Sequence, residues 1–462
     1  VSLEVIDLAV AGPQGRIVHG VTFAASSGAP LTLIGETGSG KSLVAAAVMG
    51  NLPPELSASG RVILDGIDLM RLDAKQRRAL WGRRIALLPQ EPWVALDPTM
   101  PAIGQVEEVF ALVRGHDRAR ARAGAKRALA ALGLGEATRR YPFQLSGGMA
   151  QRAAIAAIAA AEATLLLADE PTKGLDASRR DDLATALRAR ASVSALLTIT
   201  HDIVLARQVG GTIGVMLDGR VVEQGPAAEL LAAPRHDYTR RLIAADPANW
   251  PAPSPPPPAG QAVVEALGIS HGFGNARLFR NLDIAVPAGQ VVAVTGPSGC
   301  GKTTLGNLLL GLLTPDAGTI RRAHGPRHSF QKLYQDPPAA FAPQISLRQA
   351  LLDLARRHGI AWPDVASLLA RLRLPPGLLD RLPGQISGGE LQRFALARVL
   401  LLQPLFLFAD EATSRLDPLM QHEIMLLLRE QVESARTALL LVTHDGALAR
   451  AMASTTLALD AP

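Results

Sequence analysis

A short apolar run that ends in a glycine-rich turn and opens into an Ala- and Leu-rich stretch occurs twice in this chain. The first turn is Gly35-Glu36-Thr37-Gly38-Ser39-Gly40-Lys41-Ser42, after Leu31-Thr32-Leu33-Ile34. The second is Gly296-Pro297-Ser298-Gly299-Cys300-Gly301-Lys302-Thr303, after Val291-Val292-Ala293-Val294. Both fit G-x-x-x-x-G-K-[ST] at every fixed position and sit in the strand, loop and helix context that gives the pattern its meaning. The glycines let backbone N–H groups wrap around anionic oxygens without a Cβ clash, and the helix N-terminus beyond favours negative charge. A nucleoside triphosphate would lie on each loop, with Lys41 and Lys302 reaching its β- and γ-phosphates and the Ser42 and Thr303 hydroxyls binding Mg2+. One such match could be a plain turn, but two in equivalent contexts are hard to assign to chance. Of 47 Lys plus Arg only six are Lys, and two of those six are these loop lysines. A point charge fits such a cradle where the forked guanidinium does not.

Length and composition bound the rest. At 462 residues the chain has room for two to four domains, each with its own core. Its 48% apolar and 19% charged residues exclude wholesale disorder. The net charge of +6 comes from scattered Arg, which reads as solvated surface, so no direct nucleic-acid partner is expected. Cys300 is the only cysteine, which rules out an intramolecular disulfide or a cysteine-ligated cluster within one chain. The most apolar stretches, 153–168 and 394–409, are interrupted by Glu162 and by Arg398, Gln403 and Pro404, too early for a membrane span. No signal peptide is recognisable from Val1 onward. The expectation is a soluble chain that reaches a membrane only through a partner.

From Asp246 to Gly260 there are seven prolines in fifteen residues, a semi-rigid extended linker. It divides the chain into a first domain over 1–246, a linker over 247–260 and a shortened second domain over 261–462. The two halves repeat their motifs in the same order. Gln90 in Leu88-Pro89-Gln90 matches Gln335 in Leu333-Tyr334-Gln335. Leu145-Ser146-Gly147-Gly148-Met149-Ala150-Gln151-Arg152 matches Ile386-Ser387-Gly388-Gly389-Glu390-Leu391-Gln392-Arg393. Leu167-Ala168-Asp169-Glu170 matches Phe408-Ala409-Asp410-Glu411, and Thr200-His201-Asp202 matches Thr443-His444-Asp445. The second half lacks a counterpart of Asp65-Gly66-Ile67-Asp68-Leu69, so part of its antiparallel β-subdomain should be trimmed.

A bound magnesium triphosphate needs oxygen ligands on the metal, a group that polarises water, and donors for the charge shed onto the γ-phosphate. Asp169 and Asp410, ending apolar strands, suit the metal, with Gln90 and Gln335 completing the metal and water shell. Glu170 and Glu411 suit water activation. His201 and His444 would donate to the γ-phosphate. The Ser-Gly-Gly segments open helices and so offer a second anion site in each half.

At these residues the chain resembles the ATPase subunits of ATP-binding-cassette (ABC) transporters, whose signature is LSGGxxQR. The resemblance implies an α/β fold of two P-loop NTPase domains, each a RecA-like core with a helical subdomain and an antiparallel β-subdomain. It also implies intramolecular head-to-tail pairing. Ser146, Gly147 and Gly148 would close over ATP held by Lys302, and Ser387, Gly388 and Gly389 over ATP held by Lys41. Asp176 and Asp417 would link the two composite sites. Phe273 stands where the family places a ring on adenine, whereas the first half has Ala11-Gly12 there. Both sites are expected to be competent for hydrolysis.

Gln90-Glu91-Pro92-Trp93, Tyr141-Pro142-Phe143-Gln144 and Pro234-Arg235-His236-Asp237-Tyr238-Thr239 resemble importers of dipeptides, oligopeptides and nickel. That branch implies two transmembrane permeases, a solute-binding protein behind them, and a peripheral place on the cytoplasmic face of the inner membrane. Trp93 and Phe341 are candidates for lining the groove that receives a permease helix, with core packing as the other explanation. A soluble twin ATPase acting on ribosomes or DNA, or an exporter ATPase, is the alternative. The short proline-rich linker and the missing zinc-binding cysteines disfavour the first, and the lack of fused membrane helices disfavours the second.

Overall fold

The computed structural model describes residues 1–90, 95–172, 175, 177–251, 261–274, 276–297, 299–413 and 416–460. They form two compact units, Val1–Ile243 and Ala244–Pro462. This division falls a few residues ahead of the boundary read from the prolines. The reason lies around Trp250, whose ring packs on His422 and whose Nε1 donates to the Ala245 carbonyl at 3.1 Å, so that 244–251 goes with the second unit. The rest of the linker, 252–260, lies outside the described residues.

The first unit holds β1 (Ser2–Gly12), β2 (Gly15–Ser26), β3 (Leu31–Ile34), β4 (Ser57–Leu64), β5 (Ile67–Asp68), β6 (Ile85–Leu88), β7 (Leu165–Asp169), β8 (Ala195–Thr200), β9 (Thr212–Leu217) and β10 (Arg220–Pro226). They make an antiparallel sheet in the order β2-β1-β4-β5 and a second sheet in the order β10-β9-β3-β8-β7-β6. In the second sheet β6, β7, β8, β3 and β9 run parallel, and only the edge strand β10 is antiparallel. Leu31–Ile34 and Ala195–Thr200 are buried along their whole length, as apolar strands covered on both faces must be.

The second unit holds β11 (Ala262–Phe273), β12 (Ala276–Pro287), β13 (Val291–Thr295), β14 (Ala317–Arg322), β15 (Phe330–Leu333), β16 (Phe406–Asp410), β17 (Ala438–Val442) and β18 (Thr455–Ala458). Its parallel sheet, β15-β16-β17-β13-β18, repeats the five parallel strands of the first unit, β6-β7-β8-β3-β9, in order and direction. Its antiparallel sheet has three strands, β12-β11-β14, against four in the first unit. The trimmed β-subdomain expected from the missing Asp65–Leu69 counterpart is therefore present.

Each unit also carries a helical part. In the first, helices Ala102–Glu108, Arg118–Ala131 and Gly147–Ala160 enclose a core with Val106, Ala125, Leu129 and Ala153. In the second, Leu347–His358, Trp362–Arg371 and Gly388–Leu400 do the same around Leu351, Val365, Leu369 and Phe394. Both units thus have the α/β architecture of a P-loop NTPase with a helical and an antiparallel β-subdomain. Among the described residues no helix is long and apolar enough to cross a membrane.

Candidate active sites

Each glycine-rich loop leaves the C-terminal end of a central parallel strand and enters a helix, Lys41–Met49 or Lys302–Leu310. The loop begins where the chain must pass close to a neighbouring backbone. A Cβ on Gly35 (φ 153°) would stand 2.2 Å from the Met216 carbonyl oxygen, and one on Gly296 (φ 144°) 2.4 Å from that of Leu459. No other residue fits there without moving the backbone. The Lys41 ammonium donates to the Gly35 and Glu36 carbonyls at 2.8 and 2.7 Å and to Ser39 Oγ at 3.2 Å. Lys302 repeats this with Gly296 and Pro297 at 2.8 and 2.9 Å. Both ammonium groups are held inside a ring of oxygens at the mouth of the loop.

Across from each loop the first aspartate of the Asp-Glu pair ends its strand. Ser42 Oγ donates to Asp169 Oδ1, and Thr303 Oγ1 to Asp410 Oδ1, both at 3.1 Å. A hydroxyl and a carboxylate oxygen converging in this way, at the helix that follows the glycine-rich loop, form a hard-oxygen donor set of the kind Mg2+ takes. Asp410 is 3% exposed. Burial pushes its carboxyl up, against the pull of the Thr303 hydroxyl and the Lys332 ammonium, and Glu411 next to it adds to the rise.

Glu170 and Glu411 both adopt φ 47°, a left-handed backbone that non-glycine residues rarely take. It persists because the amide of each is tied to the strand opposite, Glu170 to the Ile199 carbonyl at 2.7 Å and Glu411 to that of Val442 at 3.1 Å. The turn swings each carboxylate away from the aspartate before it and toward the histidine. Glu170 Oε2 lies 2.8 Å from His201 Nδ1 and also accepts from Thr200 Oγ1 and the His201 amide, each at 3.3 Å. Glu411 Oε2 accepts from Gln335 Nε2 at 2.9 Å, while its Oε1 lies 3.5 Å from His444 Nδ1. Burial pushes both glutamates up, but the histidine and the loop lysine more than offset it, and both end below the usual carboxylate range. Burial pulls His201 down, and the Glu170 carboxylate outweighs it, leaving that imidazole above its ordinary value.

The structure therefore gathers Lys41, Ser42, Asp169, Glu170 and His201 in one unit, and Lys302, Thr303, Asp410, Glu411, His444 and Gln335 in the other. Gln90 stands exposed at the end of β6. Ser146 caps helix Gly147–Ala160, accepting from the Met149 amide, and Ser387 caps Gly388–Leu400 in a capping box with Glu390. Ser387 Oγ and its backbone amide both donate to Glu390 Oε2, at 2.7 and 2.8 Å. These helices are fastened to the exits of β7 and β16. Gln151 Nε2 donates to the Pro171 carbonyl at 3.2 Å and Gln392 Nε2 to that of Ala412 at 2.7 Å. Asp417 caps helix Pro418–Ala435. Asp176 and Trp93 lie outside the described residues. Phe273 is exposed, edge-on to the His271 ring, and so is a free platform rather than a core ring. Phe341 is 8% exposed, part of the core with the Arg398 guanidinium over its ring, so core packing and not a groove explains it.

Two site contacts are not evident from motif reading. The fully buried Tyr238 accepts at its hydroxyl from the Glu36 amide at 2.9 Å, tying the segment after β10 to the first loop. The stretch Pro234–Thr239 was recognisable as a branch marker, but not as a support for the loop. The other is Lys332, 3.5 Å from Asp410 Oδ2.

The ABC transporter family model matches residues 18–173 and 279–414. A peptidoglycan transport ATP-binding protein, YejF, of Agrobacterium fabrum is 32% identical, covering 98% of this chain and 90% of its own. A glutathione import ATP-binding protein, GsiA, of Pectobacterium atrosepticum is also 32% identical, over 95% of this chain and 80% of its own. Among solved structures, the RNase-L inhibitor shares the fold, with a TM-score of 0.70 at 20% identity over 97% of this chain and 87% of that one. Matched loop by loop and over nearly its whole length, the chain belongs to the ABC transporter family and is one of its ATP-binding, ATP-hydrolysing proteins.

Proposed function

We propose that this ATPase powers import of peptides or peptide-like solutes through two membrane permeases fed by a solute-binding protein, from the cytoplasmic face of the inner membrane. The observation that carries the reading is the repetition of a full set of reacting groups in both units: loop lysine, hydroxyl against aspartate, and glutamate against histidine. Two complete sets fit a motor in which both nucleotides are hydrolysed. The relatives named for peptidoglycan transport and glutathione import support a peptide-like cargo, whereas nickel or metal chelates rest on sequence resemblance alone.

Within each unit the residues divide the work. Lys41 and Lys302 would leave their carbonyl partners for the β- and γ-phosphates, a short exchange of acceptors for a charge already at the mouth of the loop. Ser42, Asp169 and Gln90 in one unit, and Thr303, Asp410 and Gln335 in the other, would hold Mg2+, which supplies charge neutralisation across the phosphates. Glu170 and Glu411, kept ionised by their histidines, would orient the attacking water and take its proton. His201 and His444 would donate to the γ-phosphate. Phe273 would stack on adenine. Ser146-Gly147-Gly148 and Ser387-Gly388-Gly389 would complete the sites across the pair of units, with Asp176 and Asp417 as links. Closure on ATP and release after hydrolysis then become the stroke passed to the permeases.

Affinity purification of the chain from membranes of its own cell tests this. Two permeases should co-purify, and peptide-loaded binding protein should stimulate ATP turnover of the reconstituted complex. Co-purification with ribosomes and no permease would overturn it.

A further inference from the structure

The parallel strands and the helix after the glycine-rich loop align between the two units around the aspartates, and among the positions that differ five meet in space in the second unit. Where the first unit has Ala45, Ala46, Leu87, Pro89 and Leu167, the second has Gly306, Asn307, Lys332, Tyr334 and Phe408. The five form one device. The Lys332 ammonium donates to Asn307 Oδ1 at 2.9 Å, lies 3.5 Å from Asp410 Oδ2, and sits 5.0 and 5.2 Å from the ring centres of Phe408 and Tyr334. Gly306 makes room for the Phe408 ring on which the ammonium sits, because a Cβ there would stand 2.1 Å from that ring. Only 11% of the Lys332 side chain is exposed. In a chain with 41 arginines and six lysines, a buried cation supplied as lysine marks a pocket shaped for a compact point charge.

We propose that Lys332 is a resident cation of the second nucleotide site, a positioning residue that shares Asp410 with Mg2+ and lowers that site's dependence on the metal. The inference rests on the reading of Asp410 as a metal-holding residue. Oδ1 of Asp410 accepts from Thr303, the hydroxyl read as its fellow metal ligand, whereas Oδ2 faces the ammonium. A fixed positive charge on one carboxylate oxygen repels a divalent cation arriving at the other and withdraws part of the charge that would hold it. The same ammonium adds a favourable field for bare triphosphate. In the first unit Leu87 and Ala46 supply neither group from these positions.

Mant-ATP fluorescence on the full chain, with the first loop disabled by Lys41→Ala, reads the second site alone. Replacing Lys332 by Met or by Gln should lower the half-saturating Mg2+ at least about tenfold and weaken binding in EDTA several-fold. Opposite movements of metal-dependent and metal-free binding are a signature that mere loss of packing would not give. A midpoint unchanged or raised in folded Lys332→Met or Lys332→Gln overturns the inference. Asp410→Asn in the same background separates the two readings. If it abolishes the Mg2+ dependence while the Lys332 variants do not shift the midpoint, the inference falls and the metal role stands. If it leaves the dependence intact, the metal role falls first and takes the inference with it.

Discussion

Glu170 and Glu411 occupy the same backbone position, share φ 47° and anchor their amides to equivalent strands, but their side chains are wired differently. Glu170 spends one oxygen on Thr200 and on both the amide and the ring of His201. Glu411 divides its two oxygens between Gln335 and a more distant His444. The neighbouring aspartates diverge in the same sense, Asp410 having Lys332 behind it where the first unit has Leu87. Duplication preserved what the parallel sheet dictates, namely the left-handed turn and the direction of the carboxylate. What differs is how the shared Gln, Thr and His side chains meet each glutamate, and which residue outside the motifs stands behind the aspartate. Identical signatures therefore do not guarantee identical sites.

Substituting each glutamate tests the shared part hardest. Glu170→Gln and Glu411→Gln, made singly, should each lower ATP turnover by about 10²-fold or more in the site concerned, as loss of a general base does. Full activity in either variant, measured by phosphate release, would break the equivalence. Next in size is the packing difference. Gly306→Ala should cost about 1–3 kcal/mol, because its methyl meets a Phe408 ring buried in the core. The mirror change, Ala45→Gly, should cost about 1 kcal/mol from helix propensity. Urea unfolding compares the two, and a neutral Gly306→Ala would show that the ring yields.

Tyr238→Phe sharpens the contrast on the other side, since it removes the hydroxyl that accepts from the Glu36 amide in the first unit. It should cost about 1 kcal/mol, read as a roughly fivefold loss of nucleotide affinity in a Lys302→Ala background. An unchanged affinity would mean that the loop keeps its shape without the tyrosine. The smallest effect concerns Glu223, which fastens the segment after β10 by accepting from the Arg235 and His236 amides at 2.8 and 3.0 Å. Burial pushes its carboxyl up, and the Thr239 hydroxyl with these amides pulls it further down, so its folded pKa lies below the unfolded one. Its contribution is then present above the unfolded carboxylate range and is lost as pH falls through the folded pKa. Glu223→Gln should cost about 1 kcal/mol at pH 7, and the gap to wild type should close on acidification. A gap that stays constant down to the acid transition would count against the carboxylate as its source.

Reading residues in order gave the twin loops, the strand-ending Asp-Glu pairs, the Thr-His-Asp turns and the trimmed sheet, because each of these is a local pattern with a local physical cause. Gly35 and Gly296 illustrate this, since the motif needs a residue without a Cβ and the fold supplies the carbonyl that forbids one. Phe341 shows the limit. Its chain position suits a docking groove, and only packing against Arg398 and the helical core shows that it is enclosed.

What the sequence determined alone was which groups each unit brings to a triphosphate, since the spacing of a strand, a glycine loop and a helix is fixed by covalent geometry over a few residues. What only the tertiary structure decided was what stands behind those groups. Lys332 meets Asp410 through neighbouring parallel strands 78 positions apart in sequence, and Tyr238 meets Glu36 across 202. Contacts of that kind depend on how strands register and helices pack, where a side chain's partner is set by the surrounding volume and charge and not by its neighbours along the chain.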